Sequence, residues 1–327
     1  MKLVERNKKR YIIRLFTLVI ILLIFILSRE FNNRLPETEM VMGGKFYNQV
    51  FENTEKAVLN NKADVEKYYR PSKLPVQNVK YDLSFIDKYF GKKYSQIKLP
   101  LSLFKTPEDT IMNYFSILRD AANPQEGKNA GCGTIGNATL PYPVAYNFLS
   151  SEYQKKLSYE QYLKTFENIL HISLIKYKEI PVYNNLSNIV RYFVEIETIE
   201  GSEKEAAYFA YYYGFVDLIK EGNGYKISDV NFYGENYLCA PMHGWSYNAE
   251  AVVDVKYGGW CSLVKKRHPT QQKDYIKKIY FKGTDGYDYL IEFFQLTNDT
   301  DIEIAQFRKG QDKKWKLIKL EPEKCLK

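Results

Sequence analysis

The sequence predicts an α+β protein, carried at its N-terminus by one apolar segment and built from two successive regions in which helices precede antiparallel strands. Three observations predict this. An uncharged run from Leu15 to Ser28 lies between Arg14 and Arg29. Apolar residues after Thr106 recur at helical spacing as far as Leu170. From His171 onward the period changes to two, in runs separated by Gly- and Asn-bearing turns.

The apolar run is short for a bilayer core, which takes roughly 20 residues to cross. Tyr11, Ile12 and Ile13 extend it if Arg14 snorkels to the headgroups. Lys2, Arg6, Lys8, Lys9, Arg10 and Arg14 stand against Glu5 alone on its N-terminal side. That asymmetry predicts a cytoplasmic N-terminus and an exported bulk. Residues 1–28 are therefore expected to be a cytoplasmic tail and signal anchor, with residues 11–28 in the membrane. Ser28-Arg29-Glu30 lacks the small-x-small pattern of a cleavage site; a cleaved signal peptide is the open alternative, and it too exports the chain.

Charge and composition narrow the partners. The net charge of +8 is concentrated in the first 14 residues, and the remainder is close to neutral. The electrostatic footprint of a nucleic-acid binder is thus missing. Aromatic residues make up 16% of the chain, led by 29 tyrosines, whose apolar face and polar tip suit half-exposed sheets and interfaces.

Residues 29–104 read as stalk and linker. Phe46, Val50, Phe51, Val58 and Leu59 give a loose helical stripe weakened by Gly43-Gly44, and Pro71, Pro75 and Pro100 punctuate the rest of this stretch. Residues 105–240 form the first predicted domain. Thr106-Pro107-Glu108-Asp109 starts a helix with a capping hydroxyl, a proline in the first turn and acids at the positive end of the dipole. A short helix from Val144 comes next, and Ser158 with Gln161 makes a capping box for another. The strands expected after these are His171 to Ile180, Ile189 to Ile199, Glu205 to Lys220 and Tyr225 to Phe232, the last pair joined by Gly222-Asn223-Gly224. Residues 241–327 form a smaller domain, with a helix over Ala249 to Tyr257 and strands near Tyr275 to Lys282, Tyr287 to Thr297, Ile302 to Arg308 and Trp315 to Leu320.

Helices followed by four long strands over residues 105–233, with the phrase Leu149-Ser-Ser-Glu-Tyr-Gln-Lys-Lys-Leu157, resemble the nuclear transport factor two-like superfamily. The resemblance implies a cone-shaped domain in which a curved sheet wraps the helices around a core or pocket. The one-helix, four-strand order after residue 245 resembles a cystatin-like unit. No catalytic residue carries over, because no motif matches.

The candidate chemistry is sparse. Gly131-Cys132-Gly133-Thr134-Ile135-Gly136 spells a dinucleotide fingerprint but lacks the strand before it and the helix after it, so it reads as a loop. Among four cysteines, Cys239 and Cys261 flank the domain junction and are the expected disulfide, with Cys132 to Cys325 as a lesser second pair. Cys239, His243, Cys261 and His268 could alternatively supply a tetrahedral zinc site, although the spacing fits no common module. His171 reads as a satisfied core histidine, and Glu195 and Glu197 as acids facing solvent. No nucleophile elbow occurs.

The expected function is that of an exported, membrane-anchored, non-catalytic interaction or assembly module of the cell envelope, of the conjugation or secretion scaffold kind. It would act with a protein partner or by self-association, without a cofactor. The second reading is a binding module for a small apolar or cell-wall-derived ligand held in the first cone, lined by Tyr114, Tyr146, Tyr192, Tyr211 and Tyr213.

Overall fold

The computed structural model describes residues 39–47, 84–129, 138–183, 188–204, 206–235 and 244–326. The predicted signal anchor lies outside the described residues, among which no helix is long and apolar enough to cross a membrane. Residues 40–327 group as one compact α+β unit containing two six-stranded sheets.

The first sheet runs β1-β2-β6-β5-β4-β3. Its centre is the antiparallel meander of β3 (Ile169–Ile180), β4 (Ile189–Glu200), β5 (Tyr208–Glu221) and β6 (Gly224–Gly234). These are the four strands that the period-two runs predict. Gly222, at φ +61°, and Asn223 form the two-residue turn between β5 and β6, where a left-handed first position suits glycine.

The edge departs from expectation. Met40–Val41 (β1) and Gly44–Tyr47 (β2) form a hairpin, and β2 pairs parallel with β6 through Lys45–Asn231, Phe46–Phe232 and Tyr47–Tyr233. The helical stripe predicted through Phe46 is therefore a strand at that residue, and this part of the predicted stalk belongs to the fold. Gly43 is the reason: it turns at φ +76°, and a Cβ there would lie 2.8 Å from the Tyr162 ring. The rest of the stripe, from Val50 to Leu59, lies outside the described residues.

A four-residue helix, α1 (Ser84–Asp87), precedes the longer helices. The linker beyond it packs against the fold, with Tyr89 and Ile97 buried. Helix α2 (Pro107–Arg119) begins at Thr106, whose side chain accepts from Asp109 N–H while the Asp109 carboxylate accepts from Thr106 N–H, each at 3.0 Å. Helices α3 (Tyr142–Tyr146), α4 (Ser151–Lys156) and α5 (Tyr159–Lys164) come next, the last with the predicted Ser158–Gln161 box. All cover one face of the first sheet, over Tyr192, Val194, Ile196, Val216, Leu218 and Phe232.

The second sheet runs β12-β11-β10-β9-β7, with β8 also on β9. The strands are β7 (Val264–Arg267), β8 (Gln271–Lys273), β9 (Ile276–Gly283), β10 (Asp288–Gln295), β11 (Asp301–Lys309) and β12 (Trp315–Leu317). The predicted Ala249 to Tyr257 helix is a single α-turn, α6 (Ala249–Val252), that continues as a π-helix over Val253–Trp260. It packs on Ile279, Phe281, Ile291 and Phe293. Cys261 is bonded to Cys325, 64 residues later, and the chain end is thereby clamped beside this helix. Neither expected pair forms, since Cys261 and Cys325 each have the other as partner; Cys239 and Cys132 lie outside the described residues.

The two sheets meet over the other face of β4 and β5. Ile180, Phe193, Tyr213, Phe294, Leu296 and Ile304 make a separate apolar cluster there. Glu195, expected in solvent, is fully buried in the seam: its Oε1 accepts Thr297 N–H at 2.8 Å, and its Oε2 lies 3.4 Å from Lys176 Nζ. Tyr275 Oη donates to Tyr177 O at 2.8 Å across the same seam. Alternation along β4 puts Glu195 on the face away from the helices, and that face is covered by the second sheet.

Candidate functional site

The five tyrosines predicted to line one pocket do not converge. Alternation along β4 and β5 puts Tyr192 on the helix-bearing face and Tyr213 on the opposite one, in the seam. Tyr114 and Tyr146 are core residues. Tyr114 Oη lies 3.2 Å from Tyr162 Oη, and Tyr146 Oη donates to Leu157 O at 2.8 Å. Tyr146 packs ring to ring with Tyr94, Tyr159 and Tyr162. Burial raises both phenols, that of Tyr146 to about 12, so neither is poised for proton transfer near neutral pH. Tyr211 is buried on the same face as Tyr213. The helix-bearing side of the first sheet is thus occupied by aromatic rings where the predicted ligand cone would be.

The remaining sequence candidates separate in the same way. Cys261 is oxidised to a disulfide and cannot be a zinc thiolate, His268 is exposed, and Cys239 and His243 lie outside the described residues. No cluster of three or more His, Cys, Asp or Glu with metal-holding geometry occurs among the described residues. The Gly131 to Gly136 loop also lies outside them. His171 is partly buried with Nε2 3.1 Å from Ser173 Oγ, and burial, helped by Arg119, lowers its pKa.

Two concave surfaces are present instead. The first is an open groove of about 520 Å³ on the second sheet. Its floor is Tyr280 on β9; one wall is the β7–β8 connection from His268 to Gln271, and the other is Lys309 and Trp315 where β11 turns into β12. Trp315 is 38% exposed, its ring 5.8 Å from that of Tyr280, with Lys309 Nζ 5.7 Å from its centre. Its charged lining residues are Lys309 and Asp288, and the strands beside it are rich in cations. Residues 264–283 hold Lys265, Lys266, Arg267, Lys273, Lys277, Lys278 and Lys282 against Asp274 alone. Arg267, Lys277, Lys278 and Lys282 are paired with Asp254, Asp301, Glu292 and Asp288. Lys265, Lys266 and Lys273 form no ion pair among the described residues. Averaging charge over everything beyond the N-terminal segment hides this run; a window of 20 residues reveals it.

The second is a cleft of about 330 Å³ lined by Tyr213 of the first sheet and Glu235 just beyond it, by Phe293 and Leu296, and by residues 298–303 where the β10–β11 turn enters β11. Asp301, the first residue of β11, is buried. Its Oδ2 accepts Ala249 N–H at 2.9 Å and Lys277 Nζ at 2.8 Å. Burial raises its pKa against the opposing pull of Lys277 and of the Ala249 N–H. Asp301 Oδ1 and the neighbouring Thr300 Oγ1, both buried, meet no hydrogen-bond partner among the described residues. Thr297-Asn-Asp-Thr-Asp301 reads in sequence as an ordinary polar turn, which is why neither residue stands out there.

No protein-family model matches the chain, and no curated protein or solved structure matches it.

Proposed function

We propose that this chain is a non-catalytic interaction module, exported and tethered by its N-terminal segment, and that it docks an acidic protein surface in the groove of its second sheet. The observation that carries the reading is Trp315, over a third exposed, its ring 5.8 Å from that of Tyr280 and beside Lys309, in a sheet where Lys265, Lys266 and Lys273 form no ion pair among the described residues. Exposed Trp and Tyr beside cations are what the energetic centre of a protein interface uses: large rigid rings to desolvate, and charges to steer the partner. The tether rests on the apolar segment and its flanking charges. The likeness of the first sheet to the nuclear transport factor two-like superfamily, and of the second to a cystatin-like unit, rests on element order, α2 to α5 before β3 to β6 and one helical turn before a strand meander.

Photocrosslinking from position 315 in native membranes tests this, with position 208 on the first sheet as an exposed control. The expected result is a discrete protein adduct from position 315 only, reduced by raised salt and by Lys309→Glu. Recovery of only the monomer from position 315, or an adduct indifferent to Lys309→Glu and salt, would overturn it.

A further inference from the structure

Lys277 and Asp301 are a cation and an acid buried together on strands that are not neighbours. Lys277 belongs to β9, where alternation puts it on the same helix-bearing face as Ile279 and Phe281, and Asp301 opens β11, with β10 between them. Lys277 Nζ lies 2.8 Å from Asp301 Oδ2, and the two side chains are 12% and 1% exposed. Taking such a pair out of water is costly, and its mutual attraction repays the cost only where the remaining lone pairs are also satisfied. Here they are not. Asp301 Oδ2 accepts Ala249 N–H as well, at 2.9 Å, whereas the buried Oδ1 meets no hydrogen-bond partner among the described residues.

A third group completes the arrangement. Glu250 follows Ala249 in α6, its side chain is hydrogen-bonded to Thr270, and its charge acts on both Lys277 and Asp301. An amine against a carboxyl, shielded from water and beside a second carboxyl able to carry protons, is the set that condenses the first two into an amide. We infer that Lys277 and Asp301 become joined by an isopeptide bond within the folded chain. Lys277 Nζ attacks Asp301 Cγ, the Nζ–Cγ bond forms, the Cγ–Oδ1 bond breaks, and Oδ1 leaves as water with two protons from the ammonium, relayed by Glu250. The ion pair supplies every atom, so no oxidant or co-reactant is needed. Ala249 N–H stays on Oδ2, where negative charge develops during attack and where the amide carbonyl remains. Oδ1, which no described group holds, is the oxygen free to depart, and the cleft that Asp301 lines receives the water. Burial raises the Asp301 pKa, which favours the acid form that condensation needs. The product replaces two buried charges with a neutral amide and ties β9 to β11 across β10, joining residues 24 apart. It stands independently of the docking role proposed for the Trp315 groove.

Peptide mapping of the full chain, extracted in detergent, reduced and digested with trypsin, tests this. An acylated Lys277 is not cleaved, so residues 274–278 and 283–308 are expected as one branched peptide, lighter than the two together by one water, about 18 Da. Glu250→Gln keeps the Lys277–Asp301 contact and removes the proton relay. It is expected to slow bond formation on the order of a hundredfold, so that linear peptides dominate, while the Cys261–Cys325 crosslink in an unreduced sample reports that the variant has folded. Lys277→Met should give no branched peptide. The wild-type chain yielding only linear peptides, cleaved after Lys277, would overturn the inference whatever the variants do. A branched peptide from Glu250→Gln in wild-type yield would overturn the relay.

Discussion

The Cys261–Cys325 bridge makes a quantitative prediction. It closes a loop across a sequence separation of 64, and it ties down a chain end otherwise held by the Lys256–Glu323 pair and by the Leu320 N–H donating to Gln306 Oε1. Treating the bridge as a restraint on the unfolded chain, a loop of that length contributes about 4 kcal/mol. In a unit of this size each kcal/mol moves the midpoint by roughly 2–4 °C, so losing the bridge lowers Tm on the order of 10 °C. Cys325→Ser, compared with the wild type by scanning calorimetry with and without reductant, checks this. Reductant is expected to shift the wild type down to the variant and to leave the variant in place. Non-reducing peptide mapping should show a Cys261–Cys325 crosslink. A mapped Cys239–Cys261 crosslink, or a wild-type Tm indifferent to reduction, would refute the reasoning.

Three other outcomes rest on particular contacts. Phe193→Ala, in the seam between the sheets with its ring 4.4 Å from Phe294, should cost about 3–5 kcal/mol in chemical denaturation and loosen the seam first, as read by hydrogen exchange at β10. Gly43→Ala should destabilise by about 1–3 kcal/mol, because it imposes a Cβ on the Tyr162 ring at a left-handed backbone position; equal stability would mean that the hairpin contributes nothing. Lys226 lies beside Phe104, donates to Asn147 O at 2.6 Å, and is pulled down to about 8 by burial, with Glu221 resisting. Its folded pKa is below its unfolded one, so the unfolded chain binds more protons between about pH 8 and 10.5. Its contribution to stability therefore rises with pH across that window. Lys226→Met should flatten that rise in a pH series of denaturation midpoints.

What could be read from sequence was local. Thr106 with Asp109 and Ser158 with Gln161 announce helix starts because a cap is a contact within one turn, and β3 to β6 announce themselves by a period of two. Relations between distant segments were not legible. Glu195 shows its face but not what covers it, so a buried anchor of the seam reads as a surface acid. Phe46 falls into a helical spacing by chance, and only the Gly43-Gly44 pair hints that the chain reverses there. Cysteine pairing depends on which loops meet in space, and proximity in sequence favoured the wrong partner for Cys261. The groove was obscured by averaging, since an acid surplus elsewhere cancels the cationic run of β7 to β9. The cleft was hidden for another reason: Thr300 and Asp301 are common turn residues, and only burial makes their unpaired oxygens noteworthy.

The parallel union of β2 with β6 fixes an order of events during synthesis. The Lys45–Asp229 ion pair joins residues 184 apart, so β2, already paired with β1, has no strand along its other edge until nearly all of the first sheet has been translated. The meander from β3 to β6 has short connections and can assemble alone, whereas the hairpin must wait and then close a long loop. Until then Phe46 and Tyr47 remain uncovered on a nascent chain. A chain truncated before Asn231 would keep that edge of β2 without its partner.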